Sequence, residues 1–100
     1  EAVKEKGFIS VGELVYNFPN PFRAEQGTTF RYVTNERVEF INVQIFNLAG
    51  MPVGVVSRSS SNEVRWQDAS VHAGLYVYRL DVTLENGEVK KFKRMLEVYK

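Results

Sequence analysis

The sequence contains no cysteine and a single histidine, His72, in 100 residues. Without cysteine the chain has no disulfide, no thiolate ligand for a metal and no thiol nucleophile. Histidine-based catalysis would depend on His72, yet no G-x-S-x-G segment or similar frame accompanies it. As a metal ligand, His72 has no second histidine and no cysteine to join it. We therefore interpret His72 as an exposed loop residue.

An excess of one charge and long apolar runs are also missing. The formal net charge is +1, which gives no general reason to expect a nucleic acid or an anionic membrane as partner. No apolar run approaches the ~20 residues that span a bilayer. The carboxylates of Glu36, Glu39, Asp81 and Glu85 are spread over turns and polar faces, so they indicate no acid and base pair. We predict that the chain is not an enzyme, binds no cofactor and has no membrane span.

Motifs for phosphate or calcium are absent as well, since neither a Gly-rich phosphate loop nor an EF-hand loop occurs. Asn17, Asn20 and Asp68 carry oxygen atoms of the kind that calcium prefers. Asparagine and aspartate also form turns and caps through bonds to the nearby backbone. We favour these turn roles and predict no metal site.

The dominant period along the chain is two. Ile41, Val43 and Ile45 alternate with polar residues, as in a strand with one buried face. Residues 28–33, 63–66 and 74–84 are similarly rich in β-branched and aromatic side chains. One face of the last run is formed by Tyr76, Tyr78, Leu80, Val82 and Leu84.

Turn signals separate these runs. Residues 48–52 and 85–88 predict hairpin turns, the second through an Asn-Gly pair suited to positive φ, and residues 57–62 predict a polar loop. About seven short strands at regular spacing predict an all-β fold, an Ig-like or fibronectin-III-like antiparallel β-sandwich. We assign residues 13–100 to this domain, and residues 1–12 to a linker and a possible lead-in to the first strand.

The segment NFPNPF, residues 17–22, combines two prolines with two phenylalanines. Proline restricts its own φ, donates no backbone hydrogen bond and favours an extended residue before it. We predict a stiff, extended segment that is not a central strand. In an extended chain Phe18, Asn20 and Phe22 share one side, so both phenylalanines are expected to plug one end of the core.

The other aromatic residues of note are Trp66, Tyr76 and Tyr78. Trp66, the only tryptophan, is predicted to pack in the core from a central strand, because buried aromatics dominate sandwich cores. One of the two tyrosines is expected to tie down a loop through its hydroxyl, as in the tyrosine corner of Ig-like sandwiches.

Positive charge is concentrated at the end of the chain. Residues 90–100 hold five basic residues and one acidic residue, a net charge of +4 within a chain whose total is +1. Lysines on an edge strand discourage edge-to-edge aggregation, which is the simpler explanation. The alternative is a basic strand displayed to a partner. Since apolar patterning continues to Tyr99, we expect Lys100 to be the natural C-terminus of a longer protein.

Taken in order, six motifs resemble the C-terminal sorting domain of type IX secretion cargo, a family of Bacteroidetes-type bacteria. The motifs are NFPNPF, TTFRYV, VQIFNLAGMPV, VRW, HAGLYVYRL and KFKRMLEVYK. The resemblance spans about residues 16–100 and implies an Ig-like sandwich at the end of a larger exported protein. Its structural motif residues are Asn17, Phe18, Pro19, Asn20, Pro21, Phe22, Trp66, Gly74, Tyr76 and Tyr78.

The resemblance implies a non-catalytic secretion signal that directs an upstream cargo domain through the type IX outer-membrane translocon. Shuttle and sortase proteins of the outer membrane would be further partners, and the cargo would cross the periplasm to be secreted or held at the cell surface. The candidate recognition residues on the last strand are Lys91, Lys93, Arg94 and Lys100. In this family NFPNPF is expected to fix the first strand.

Two alternatives remain open. The V-x-I-F-x-L-x-G hairpin and the later G-L-Y strand are shared with the flagellar hook-capping Ig-like module. From a different class, the domain could be an accessory stalk or a carbohydrate-binding module of an extracellular enzyme, which would require a planar row of exposed aromatic residues.

Overall fold

The computed structural model describes residues 14–100 and forms eight β-strands. The linker predicted for residues 1–12 lies outside the described residues, as does residue 13. No helix in the described part is long and apolar enough to cross a membrane. The strands are β1 (Val15–Phe18), β2 (Phe22–Arg23), β3 (Thr28–Tyr32), β4 (Val38–Asn47), β5 (Pro52–Ser59), β6 (Glu63–Trp66), β7 (Gly74–Leu84) and β8 (Val89–Tyr99).

The strands form two sheets, one of three strands in the order β1-β3-β6 and one of five in the order β2-β8-β7-β4-β5. All pairs are antiparallel except β2 with β8, which is parallel. The predicted β-sandwich is therefore confirmed. The strand number is eight instead of about seven, since the two-residue β2 forms an element of its own.

The period-two pattern places the core between the sheets. All five predicted inward residues of β7 are buried, because successive side chains of a strand point to opposite faces. Tyr78 of β7 packs edge-to-face on Phe30 of β3, with the ring centroids 4.7 Å apart, so this pair joins the centres of both sheets.

Both predicted hairpins are confirmed. The turn between β4 and β5 contains Gly50 at a φ of 88°, and the turn between β7 and β8 contains Gly87 at a φ of 91°. These φ values favour glycine, which has no Cβ to clash. The predicted loop at residues 57–62 is shorter than expected, since β5 continues to Ser59, which pairs with Phe40 of β4.

The NFPNPF segment differs from its prediction. Residues 19–21 form a bend that carries the chain from the three-stranded to the five-stranded sheet. Phe22, on the far side of this bend, is 2% exposed and packs edge-to-face on Trp66, but Phe18 is 71% exposed. The two phenylalanines do not share a side because Val15 and Asn17 take the inward positions of β1, which turns Phe18 outward. Only Phe22 plugs the core.

The predicted burial of Trp66 is confirmed, but its predicted position on a central strand is wrong. Trp66 ends β6, an edge strand of the three-stranded sheet, and is 5% exposed. Its ring is covered by Gly54 of β5, which has no side chain to hold the two sheets apart. An edge strand can therefore bury the largest side chain of the domain.

The predicted loop tie is made by Tyr76. Its hydroxyl donates a hydrogen bond of 2.7 Å to the backbone carbonyl oxygen of His72. Gly74 lies between them at the start of β7, with a φ of 152°. The bond holds the loop that precedes β7 against the beginning of that strand.

Candidate functional site: the last strand and its surroundings

The candidate recognition residues lie on different faces of the last strand. Lys91 and Lys93 point away from the core and are exposed, whereas Arg94 points toward the other sheet and is half-buried. Lys100 follows the strand and is exposed. The structure therefore brings Lys91 and Lys93 together, but it places Arg94 on the opposite face and Lys100 at the strand end.

Strand β8 is an edge for most of its length. Its inner neighbour β7 pairs with it from Gly74 to Thr83, while β2 covers only Val98 and Tyr99 on the other side. Within residues 14–100 no strand pairs with the outer edge of residues 89–97. The lysines thus occupy an edge strand as predicted, so protection against aggregation and display to a partner both fit this position.

The charges around the two lysines are only partly compensated. Asp81 of β7 lies opposite Lys91, and Arg79 lies opposite Lys93, on the outward face of the sheet. Arg79 Nη2 is 3.4 Å from Asp81 Oδ2, and the other oxygen, Oδ1, is buried with no hydrogen-bond partner within residues 14–100. One carboxylate therefore faces three cationic side chains, and this part of the surface is positive.

An apolar row crosses the same sheet face beside these charges. Pro52, Phe46, Val77 and Met95 are successive cross-strand neighbours of β5, β4, β7 and β8. Met95 is 53% exposed. This row was not predicted, although its signal is present in the sequence: outward positions of four paired strands carry apolar residues, whereas a solvated sheet face carries polar ones.

The bend at residues 19–21 is attached to the last strand. The backbone N–H of Glu97 donates a 3.0 Å hydrogen bond to Asn20 Oδ1. Asn17 Nδ2 donates to Thr28 Oγ1 at 3.2 Å, and the Thr28 hydroxyl donates to the carbonyl oxygen of Pro19 at 2.8 Å. Asn17 also donates to the carbonyl oxygen of Pro19 at 3.4 Å, a bond to the nearby backbone as predicted. Asn20, in contrast, bonds to the backbone of a strand distant in sequence and not within its own turn.

The other residues considered for catalysis or metal binding, His72 and Asp68, have structural roles in loops. His72 is exposed and contributes its backbone carbonyl to the Tyr76 bond. Asp68 accepts hydrogen bonds from the side chain and the backbone N–H of Ser70, which lower the pKa of its carboxyl group. Residues 14–100 contain no group of three or more His, Cys, Asp or Glu side chains able to hold a metal ion.

Two exposed aromatic rings lie on the outer face of the other sheet. Tyr16 and Phe18 alternate outward along β1 and, with Thr29, Arg31 and Glu63, line a shallow concavity of about 310 Å³. Arg31 donates to the Glu63 carboxylate and, at 3.4 Å, to the Tyr16 hydroxyl. We call this surface the β1 aromatic platform. The sequence pattern gave no sign of it because Phe18 was expected in the core.

Comparison with known proteins supports the fold. No protein-family model and no curated protein matches this chain. The crystal structure of CopC from Methylosinus trichosporium OB3b is similar to it, with a TM-score of 0.61 and 16% sequence identity. The match covers 84% of this chain and 92% of that chain. At such low identity the likeness concerns the fold alone, a β-sandwich of two sheets.

Proposed function

We propose that this domain is a non-catalytic sorting signal that directs an upstream cargo domain through the type IX outer-membrane translocon. Its partners in this role are the translocon, the shuttle and sortase proteins of the outer membrane and the cargo in the same chain. The chain would pass through the periplasm to be secreted or held at the cell surface. The observation that carries the proposal is the ordered set of six motifs, which extends over nearly the whole sandwich.

The arrangement of these motifs in space supports the proposal. The first motif, residues 17–22, contacts the last one, residues 91–100, through the Asn20 to Glu97 hydrogen bond and the pairing of Phe22 with Val98. A receptor that binds the last strand would therefore meet a strand held in place at its end by the NFPNPF segment. This contact gives NFPNPF an anchoring role at the last strand, in addition to the fixing of the first strand that the family resemblance implies.

The contact surface that we propose for the receptor is the outward face around Lys91 and Lys93. Both lysines are exposed on an edge strand, and the apolar row ending at Met95 lies next to them. Positive charge on such a surface speeds up the encounter with an acidic partner and orients it. Apolar side chains that are exposed in the free domain become buried when the partner binds and supply much of the affinity. The surface thus suits a partner that combines acidic and apolar groups.

The test is an export assay in a host with an active type IX system. The domain is fused behind a signal peptide and a reporter, and Lys91, Lys93 and Lys100 are changed together to glutamine. We expect the reporter to accumulate in the periplasm while the melting temperature of the isolated domain stays unchanged. Normal export of the folded triple variant would exclude recognition through these charges, and normal export without the whole domain would exclude the sorting function itself.

A matched control removes the same number of positive charges elsewhere. Arg37, Arg58 and Arg65 are exposed and lie outside the last strand. The ion pair of Arg37 with Glu85 is 3.9 Å long and fully at the surface, where such pairs contribute little to stability. The triple glutamine variant of these arginines should be exported normally. Equal loss of export in both variants would mean that net charge, and not strand β8, governs the result.

A second candidate function is supported by the β1 aromatic platform. Two exposed rings beside an Arg–Glu pair provide stacking surfaces and hydrogen-bonding groups, which a carbohydrate-binding accessory module requires. Polysaccharide pull-down with the wild-type domain and with Tyr16→Ala plus Phe18→Ala tests this function directly. Binding that depends on these two rings would support it, and absence of binding across a glycan array would reject it.

A further inference from the structure

A small polar pocket opens between β1 of one sheet and β8 of the other. Its volume is about 220 Å³, and its polar lining consists of Asn17, Asn20, Tyr78 and Arg94. A water molecule takes up ~30 Å³ in the liquid, so the pocket has room for a small organic group together with water. None of its lining residues in the described part of the chain is acidic.

Tyr78 and Arg94 form the inner wall of this pocket. They are a cross-strand pair of β7 and β8, and both point toward the other sheet. Tyr78 is 1% exposed, and its hydroxyl takes part in none of the hydrogen bonds among residues 14–100. The wall therefore places this hydroxyl next to a guanidinium group.

The other wall is held in place by the bend at residues 19–21. Asn20 Oδ1 accepts the hydrogen bond from the backbone of Glu97, which leaves its Nδ2 group as a donor. Arg94 uses Nη1 to donate to the carbonyl oxygen of Lys93 at 2.8 Å, and its guanidinium group makes no other hydrogen bond among residues 14–100. The pocket thus contains one positive charge and neutral hydrogen-bond donors. Existing hydrogen bonds already fix the positions of Asn20 and Arg94.

We propose that this pocket binds a carboxylate group, with Arg94 as the charged donor and with Tyr78 and Asn20 as neutral donors. A guanidinium fork matches the two oxygens of a carboxylate in geometry and in charge. Burial raises the pKa of Tyr78 to about 12, so its hydroxyl stays a donor at neutral pH. This inference is independent of the sorting function, because Arg94 faces away from Lys91 and Lys93.

The binding test is a titration of the ¹⁵N-labelled domain with acetate, followed by NMR. We expect saturable shifts at Asn20, Tyr78 and Arg94, and no such shifts with acetamide, the neutral isostere. Arg94→Gln should weaken acetate binding about tenfold or more, because it removes a charge-assisted hydrogen bond. Tyr78→Phe should weaken it about threefold to tenfold, because it removes a neutral donor and keeps the ring.

Lys93→Gln is the matched control, since it removes the same charge from the neighbouring residue on the outward face. It should bind acetate as the wild type does. Saturable binding that is equal in wild type and in Arg94→Gln would overturn the proposal, and so would a lack of saturable binding. If Arg94→Gln fails to fold, as judged by its melting curve, Tyr78→Phe decides the matter through its effect on affinity.

A free carboxylic acid and the terminal carboxylate of a peptide share this chemistry, and a second titration distinguishes them. A short apolar peptide with a free C-terminus is compared with its amidated form. Tighter binding of the free-acid peptide than of acetate assigns the site to a chain terminus, whereas equal affinity assigns it to small carboxylates. Equal binding of the free and amidated peptides would contradict the requirement for a carboxylate.

Discussion

A methyl group placed on Gly54 would lie 2.8 Å from Nε1 of Trp66. Gly54 belongs to β5 in the five-stranded sheet and Trp66 to β6 in the three-stranded sheet, so this contact joins the two layers. The tryptophan ring is almost fully enclosed and has little room to move. Residue 54 therefore needs to be glycine for the indole to pack between the layers.

The first prediction follows from this contact. Gly54→Ala should lower the free energy of unfolding by about 1–3 kcal/mol, because overpacking displaces the ring or the strand. Urea unfolding followed by tryptophan fluorescence measures the effect. In a Trp66→Phe background, followed by circular dichroism, the smaller ring leaves room for the methyl group, and the same alanine should cost less. An equal loss in both backgrounds would show that the indole is not the obstacle.

The two phenylalanines of NFPNPF should differ sharply in their effects. Phe22→Ala removes a ring buried against Trp66 and should lower the free energy of unfolding by about 3–5 kcal/mol. Phe18→Ala removes an exposed ring and should change it by no more than about 0.5 kcal/mol. Thermal melts of the two single variants provide the comparison. A loss for Phe18→Ala as large as that for Phe22→Ala would mean that Phe18 contributes to the core.

The hydroxyl of Tyr76 provides the third prediction. Tyr76→Phe keeps the buried ring but removes the bond to the carbonyl oxygen of His72, and should lower the free energy of unfolding by about 0.5–1.5 kcal/mol. Hydrogen exchange in residues 70–73 should accelerate at the same time. Tyr16→Phe is the control, since among residues 14–100 the Tyr16 hydroxyl makes a single hydrogen bond, an exposed one of 3.4 Å from Arg31. Equal effects of both variants would reject a specific loop tie.

Strands with one buried face were predictable because their apolar residues recur every second position. Strands β6 and β7 begin and end where the sequence predicted, and both glycine-containing turns are in place. The layer in which each strand lies was not predictable from this local pattern. Trp66 can be buried on an edge strand because Gly54 of the other sheet is close enough to cover it, and the pattern within one strand does not reveal a contact between two sheets.

In the candidate site, too, positions within a strand were predictable from the sequence, whereas contacts between elements were not. The outward positions of Lys91 and Lys93 follow from alternation along β8, which can be read from the sequence. The inward position of Arg94 follows from the same alternation, but its proximity to Asn20 and Tyr78 depends on the bend at residues 19–21. An extended NFPNPF segment was expected, so neither the pocket nor the exposed Phe18 could be anticipated.

The last prediction concerns stability at alkaline pH. Burial raises the pKa of Tyr78 from 10.0 to about 12, although the nearby positive charge of Arg94 acts in the opposite direction. The folded state therefore holds this proton more tightly than the unfolded chain does, and the unfolded chain releases it first as the pH rises. By linkage, the stabilisation from the neutral hydroxyl is complete below pH 10, declines above it and is lost once the pH passes about 12.

Tyr78→Phe removes the titrating group and should remove this part of the alkaline decline. We expect the melting temperature of the wild type to fall more steeply than that of Tyr78→Phe above pH 10.0, the ordinary pKa of tyrosine. Ultraviolet titration of the folded wild type should show one tyrosine that ionises near pH 12, absent in the variant. Parallel melting curves for the two proteins across this range would contradict a raised pKa, because linkage requires the stability to follow the difference in protonation.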